Sequence, residues 1–497
     1  MKELLWSFYL MGATILAQSN DVTFSQDSLR MDFELFHKVL VNYHPGLSRY
    51  KTPQELNSDL LKSHEEFTKS ITLKDAFLNL HKATSKIECG HTYPNFWNQE
   101  RNIQNELFNG EDKLPFSFVL LENEMIVHKN VSKIRLETGS AITHINGLSI
   151  FDIVQNLKNY ARIDGNNMEK FFKDFSIEGF SKFEAFDIIF PLLYPPKKKQ
   201  YSIIVRHLDG TVSSRYIKTV SRQQRKELLK ERYADYFNNE KDEWDSSYPI
   251  DSVAVLKLGT FAVWNMDLDW KKFLEDFFKD KRTKKSKHLV LDLRGNEGGL
   301  MEVYWKLLTY LTKKPMKLER FEQLVTYEKV APEHVQYLES WDKSVFDRTN
   351  QVVKKDVNFY EFNDDAVNFL EIAPSHFAFD GNIFVLMDAA NSSAGFYLAK
   401  YLRENNLATL IGGISGGNQM GTNGGQFFML KLPYTKLEVD VPLIGYFPRE
   451  PAKDSGLVPD YHIERNYNYY HQKWILGIDL DYSKVLALTS GTIGKSE

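Results

Sequence analysis

The sequence predicts an α/β fold preceded by a helical module and a β-rich module, and three observations carry that reading. Two apolar runs of strand length, Leu289-Val290-Leu291 and Ile383 to Met387, each lead into a polar or glycine-rich turn, as strands buried on both faces of a sheet do. Apolar residues recur at helical spacing over residues 25–85. Between residues 115 and 220 the pattern changes to short β-rich runs separated by turn pairs.

A chain of 497 residues suggests about three domains, and 42% hydrophobic with 14% aromatic content supplies ample core. A net charge of −4 argues against an electrostatic nucleic-acid binder. Residues 1–18 read as a signal peptide: after Lys2, Leu4 to Ala17 form an apolar stretch with small residues near its end, followed by polar Gln18-Ser19-Asn20-Asp21. The stretch is short for a bilayer span, so the expected product is exported, periplasmic or extracellular, with no integral span after signal removal; Glu3 leaves an anchored N-terminus as the alternative.

Residues 25–112 are expected to form a helical N-terminal domain, with Leu35-Phe36-Leu40 and Phe77-Leu78-Leu80 on its apolar faces and the loop Cys89-Gly90-His91-Thr92 near its end. Residues 113–225 follow as a β-rich domain, with strands at Phe116 to Leu121, Met125 to Val131, Ala141 to Ile145 and Tyr201 to Arg206 and turns at Asn146-Gly147 and Asp209-Gly210. The phrase from Gly139 to Gly147 followed by Ile150 to Leu157 resembles a PDZ-like module, which implies peptide docking by strand addition; a β-domain used as a spacer fits the same pattern. Residues 164–190 read as an unusual insertion in it. Residues 248–480 form the last module, interrupted by an aromatic-rich insertion at 314–380 that reads as a lid, a substrate wall or a packed subdomain.

The chemistry concentrates in the last module. After Leu289-Val290-Leu291 come Asp292, Arg294, Asn296 and Gly298-Gly299, where backbone becomes sterically bare and amide donors can approach a substrate. After the run Ile383 to Met387, residues Ala394, Tyr397, Leu398 and Tyr401 recur at helical spacing, which puts Asn391-Ser392-Ser393 at a strand-to-helix junction. A serine there sits where first-turn amides and the helix dipole favour an alkoxide or an oxyanion. Helix capping by Asn391 or Ser392 is the plainer alternative.

These two segments, with Gly259-Thr260-Phe261 before them and Leu410-Ile411-Gly412, Ser415-Gly416-Gly417, Leu432-Pro433 and Gly456-Leu457-Val458-Pro459-Asp460 after them, resemble the C-terminal-processing (tail-specific) serine peptidases and their tricorn-core relatives. The resemblance implies a crotonase/ClpP-like catalytic domain with an N-terminal helical cap, acting on protein or peptide substrates without a cofactor. It makes Ser393 the nucleophile, with Ser392 as the fallback, and implies an oxyanion hole from the Ala394 amide and an amide of Gly298 or Gly299. Where the tail-specific branch places its lysine base, this chain has Asn418, which cannot take a proton from serine near neutral pH. Either the chain is a peptide-binding pseudoprotease or another group is the base, and the resemblance to the tricorn-like branch implies His91. The same branch orients its histidine through a carboxylate shortly before Gly456; Lys453 occupies the usual acidic position, Asp454 is the nearest carboxylate and Glu450 the next.

A lone cysteine, Cys89, excludes an internal disulfide and a Cys-rich zinc site, and no comparable metal spacing occurs. Cys89 itself reads as a small buried hydrophobe rather than a nucleophile.

Overall fold

A computed structural model of the chain describes residues 23–234, 243–364 and 369–490. The stretch read as a signal peptide lies outside the described residues. Helices α1 (Gln26–Tyr43), α2 (Pro53–Thr68) and α3 (Leu73–Ser85) begin where the sequence supplies caps: Ser25 accepts from Ser28 N, and Thr52 and Thr72 form capping boxes with Glu55 and Asp75. Asp32, on the buried face of α1, accepts hydrogen bonds from Tyr434 N, Thr435 N and the Thr435 hydroxyl, so the helical layer is bonded to a turn some 400 residues on.

After α4 (Arg101–Leu107) comes a sheet of β1 (Phe116–Leu120), β2 (Met125–Asn130), β3 (Ala141–Ile145), the short β4 (Leu148–Ser149), β5 (Gln200–Arg206) and β6 (Val212–Lys218), in the order β1-β2-β3-β5-β6 with β4 on β3. Helix α5 (Ile150–Leu157) follows β4. The segment between α5 and β5 holds α6 (Met168–Asp174) and α7 (Ala185–Leu193), and α8 (Arg222–Arg232) follows β6. The outer edge of β1 is partly closed, because Phe118 and Ile177 exchange backbone hydrogen bonds of 2.9 Å and Leu120 N donates to Ser176 Oγ at 2.9 Å. A peptide cannot add as a strand at those positions.

The last module opens with β7 (Trp244–Ile250), β8 (Val253–Leu258) and β9 (His288–Asp292). After these, β10 (Met316–Glu319) pairs with β15 (Phe369–Ile372), while β11 (Glu322–Val325), β12 (Leu338–Glu339), β13 (Val352–Lys354) and β14 (Tyr360–Phe362) join a second sheet. Strands β16 (Asn382–Met387), β17 (Thr409–Gly412), β18 (Thr422–Lys431), β19 (Glu438–Phe447) and β20 (Tyr461–His462) complete the set. The central sheet runs β20-β17-β16-β9-β8-β7, parallel except at the antiparallel edge β7. Its alternate residues face two cores: Leu289, Leu291, Val385 and Met387 pack with helices Met301–Leu311 and Ser393–Glu404, and Val290, Phe384, Leu386 and Ile411 pack with Val485 of helix Leu480–Thr489. Burial on both faces is why these strands are continuous apolar runs. The second sheet, β12-β18-β19-β11-β14-β13, is antiparallel. Residues 314–380 therefore contribute strands to it.

One buried group predicts a pH effect. His81 of α3 is 1% exposed, stacks on Phe96, and neither ring nitrogen finds a hydrogen-bond partner among the described residues. Burial pushes its imidazole down to about 3. Because the folded value lies below the unfolded one, stability is fully present above about pH 6.5 and is lost as pH falls toward 3. The variant His81→Phe should be more stable by about 1 kcal/mol at pH 7 and should unfold at lower pH in an acid titration followed by circular dichroism.

Candidate active site

The parallel strands β8, β9 and β16 end side by side, and the loops that leave their C-terminal ends meet there, the place where α/β sheets carry chemistry. Two buried asparagines tie those loops together. Asn296 donates Nδ2 to Leu258 O at 2.8 Å and accepts Gly298 N at 2.8 Å. Asn391 donates Nδ2 to Leu293 O at 2.5 Å and to Asn296 O at 3.2 Å, and accepts Asp388 N at 2.8 Å. Arg294 is anchored away from them on Asp292, Asp479 and Asp481.

Neither candidate cap closes the helix Ser393–Glu404. Asn391 is spent on the loops, Ser392 donates its hydroxyl to Glu297 O at 3.2 Å, and the helix has no side-chain cap. Its first-turn amides are left without a side-chain acceptor. Ser393 has a positive φ of 49°, a left-handed conformation uncommon for serine, and no hydrogen-bond partner for its hydroxyl among the described residues. Such strain at a polar residue marks sites where side-chain aim matters more than backbone comfort.

Gly298 stands against this serine. A Cβ there would lie 2.8 Å from Ser393 Cβ and 2.9 Å from Ala394 N, and the residue's φ is 97°. Its amide is committed to Asn296. The bonds Phe261 N to Gly298 O and Leu300 N to Phe261 O form a parallel bridge around Gly299, so the Gly299 amide points away from Phe261. Of the two glycines read as oxyanion donors, Gly299 is the one whose N–H is not bonded to Asn296. The variant Gly298→Ala should collide with Ser393 and lower turnover of a peptide substrate by at least about tenfold, with little change in far-ultraviolet circular dichroism.

His91 arrives from the loop after α3. That loop is held by His44, whose Nδ1 accepts Gly46 N at 3.1 Å and whose Nε2 therefore donates to Thr92 Oγ1 at 2.9 Å. Burial pushes the His91 imidazole below its ordinary value, opposed by the negative charge of Asp164, so it is neutral and able to accept a proton at pH 7. Cys89 is 3% exposed, and burial pushes its thiol up to about 11. A thiol so placed is no nucleophile at neutral pH.

A cavity of about 180 Å³ brings these loops together; Gly90, His91, Asp164, Lys170, Glu297 and Ser392 are in its wall. Ser392 faces this cavity, and Ser393 is the next residue, at the helix start. Lys170 of α6 reaches Glu297 Oε1 at 2.8 Å and Asp174 Oδ1 at 2.9 Å, pinning α6 to the glycine turn. The Phe427 ring lies tilted against His91, centroids 5.9 Å apart, and Trp341, from within the 314–380 stretch, lies tilted against Phe427 at 5.5 Å.

Asp454 has other partners than His91. Its carboxylate accepts Asn418 Nδ2 at 2.7 Å, Asn166 Nδ2 at 3.1 Å and Asn166 N at 3.2 Å. The charges acting on His91 come from Asp164, Arg162, Lys170 and Glu297 instead. Asn418, at the usual lysine position, also donates to Asp164 O at 2.9 Å. The charged residues around His91 that the sequence did not single out are thus Asp164 and Lys170, both within the 164–190 stretch read as an insertion. Among the described residues no cluster of His, Cys, Asp or Glu could hold a metal ion, and no helix is long and apolar enough to cross a membrane.

The chain is similar in fold to solved structures of mature CPAF. The complex with lactacystin aligns at TM-score 0.61 and 13% identity, covering 94% of this chain and 99% of that one. Mature CPAF alone aligns at 0.61 and 14%, covering 95% and 99%, and a CPAF mutant at 0.58 and 14%, covering 93% and 96%. A search of curated proteins finds no match. Residues 252–462 match peptidase family S41, a span that runs from β8 through the glycine turn and the serine junction to β20. Residues 252–462 are thus a peptidase family S41 domain, and the chain that carries it is a serine-type peptidase.

Proposed function

We propose that the protein is an exported endopeptidase in which Ser393 attacks the scissile carbonyl and His91 acts as its general base. The observation that carries this reading is the strained Ser393, set at an uncapped helix start against Gly298, beside a cavity that holds a neutral imidazole. As Ser393 Oγ bonds to the carbonyl carbon, its proton passes to His91. The oxygen that gains the negative charge is held by the Ala394 and Gly299 amides. His91 then gives the proton to the leaving amine, the C–N bond breaks, and a water activated by the same imidazole releases the acyl group from Ser393. Water is the only co-reactant this route consumes.

The substrate is a protein or peptide chain that lies in extended form past Phe427, which borders His91, and Trp341, which borders Phe427. The partly closed edge of β1 argues that the β-rich module serves less as a strand-addition site than as the support for α6 and the loop before it. The apolar leader-like stretch in residues 1–18 supports export.

A fluorophosphonate probe, which bonds covalently to an activated serine, tests the reading. The expected result is one label per chain, mapped to the peptide containing Ser393, together with cleavage of an unfolded protein substrate that the probe blocks. Failure to label would return the protein to the class of peptide-binding pseudoproteases.

A further inference from the structure

The sequence points to a carboxylate near residue 454 as the group that orients the catalytic histidine, and that loop's carboxylate is engaged elsewhere. A different acid occupies the place. Asp164 follows Ile163 in the segment between α5 and α6, is 6% exposed, and lies in the wall of the cavity with His91. We propose that Asp164 is the residue that positions His91, acting through the Thr422 hydroxyl. This inference rests on the reading of Ser393 and His91 given above.

The hydrogen-bond geometry sets the direction of the relay. Asp164 Oδ1 accepts Gly90 N at 3.0 Å, which fixes the carboxylate on the residue next to His91. Its Oδ2 accepts the Thr422 hydroxyl at 3.1 Å, and Thr422 Oγ1 lies 3.4 Å from His91 Nδ1. A hydroxyl has one proton, and an ionised carboxylate can only accept. The Thr422 proton therefore goes to Asp164, and Thr422 Oγ1 accepts from His91 Nδ1–H. That holds His91 in the tautomer whose Nε2 carries the lone pair needed to take the serine proton. The backbone oxygen of Asn423, at 3.5 Å, is the more distant and uncharged acceptor for the same hydroxyl. When His91 becomes cationic during turnover, its attraction to Asp164 draws the 3.4 Å contact closer.

The loop that delivers Asp164 is held by Asp454, first read as the histidine's orienting carboxylate, and by Asn418 at the usual lysine position. Asn418 donates to Asp164 O, Asp454 binds Asn166, and Asn167 Nδ2 donates to Ser415 O at 2.9 Å. Gly165 N donates to Glu88 O at 3.0 Å, and a Cβ on Gly165 would lie 2.1 Å from Asp454 Oδ1. Only glycine fits there at its φ of 58°. Asn418 is thus a clamp on the segment that carries Asp164, and Asp454 is its brace.

The test compares Asp164→Asn, Thr422→Val, Thr422→Ser and Asp454→Asn with the parent enzyme, reading peptide hydrolysis and the rate of fluorophosphonate labelling across pH. Asp164→Asn keeps the side chain's size while removing its charge. It should lower kcat and the labelling rate by about tenfold to a hundredfold, part of the roughly 10²–10⁴ that a general base supplies, with KM little changed. The acidic limb of the profile should move to lower pH, because the lost negative charge no longer opposes the lowering of the His91 pKa by burial, Arg162 and Lys170; Glu297 remains as the other anion. Thr422→Val, nearly the same shape, should lose a comparable factor in rate, and Thr422→Ser should recover most of it. Asp454→Asn should leave the acidic limb in place. Thermal unfolding of each variant separates misfolding from mispositioning. Wild-type rates and an unmoved limb in both Asp164→Asn and Thr422→Val overturn the proposal, as does a limb that moves in Asp454→Asn alone. Labelling that requires His91 yet ignores Asp164 sinks only this inference, whereas labelling that ignores His91 sinks the mechanism with it.

Discussion

Ser393→Ala should abolish fluorophosphonate labelling and lower peptide hydrolysis by a factor on the order of 10⁶, the scale lost when a serine nucleophile is removed while binding and oxyanion donors remain. The fold should survive, because the hydroxyl makes no hydrogen bond that packing depends on. Ser392→Ala is the control for register: it removes only a 3.2 Å bond to Glu297 O and should still label. A third variant isolates the strain. Alanine is as uncomfortable as serine at a φ of 49°, but glycine is not, so Ser393→Gly should be more stable than Ser393→Ala by about 1 kcal/mol in chemical denaturation. Equal stabilities would mean that the backbone at 393 relaxes to an ordinary conformation in solution and stores no strain there.

The parts of this site that the sequence made legible are those encoded by contiguous residues. The runs at 289–291 and 383–387 are apolar because their strands lie between two cores, and the turns after them are polar or glycine because bare backbone must pass close to Ser393 there. His91 enters as the candidate base only through the resemblance, since one histidine beside a glycine says nothing by itself. Asp164 was missed for a physical reason. Its partners are Gly90 and Thr422, separated from it by 74 and 258 positions, and no local pattern encodes contacts of that span. The run Asp164-Gly165-Asn166-Asn167 carries the composition of a turn, and nothing in it announces that the turn is inserted between two loops of the site. Asn418 misled in the opposite sense. Its identity signals the loss of a lysine base, while its two donated hydrogen bonds, to Asp164 O and Asp454, show what the position does here.

His91→Ala should lower kcat by roughly 10²–10⁴ and leave KM almost unchanged, the outcome required by the proposed role of the imidazole in taking the serine proton rather than binding substrate. The pH profile supplies the second reading. Burial lowers the His91 pKa and Asp164 opposes it, so the wild-type activity should stay high at pH 7 and fall on an acidic limb lying below the ordinary value of about 6.5. The limb should vanish in His91→Ala, whose residual rate should rise with hydroxide instead. Stability follows the same linkage. A histidine whose folded pKa is depressed contributes stability above about pH 6.5 and loses it as pH falls through the folded value, so His91→Ala should remove that part of the acid sensitivity. The ring also leaves a space in a cavity of about 180 Å³, and free imidazole should restore part of the labelling rate in a saturable way. Near-wild-type turnover in His91→Ala, or an acidic limb that persists without the imidazole, would assign the proton transfer to another group.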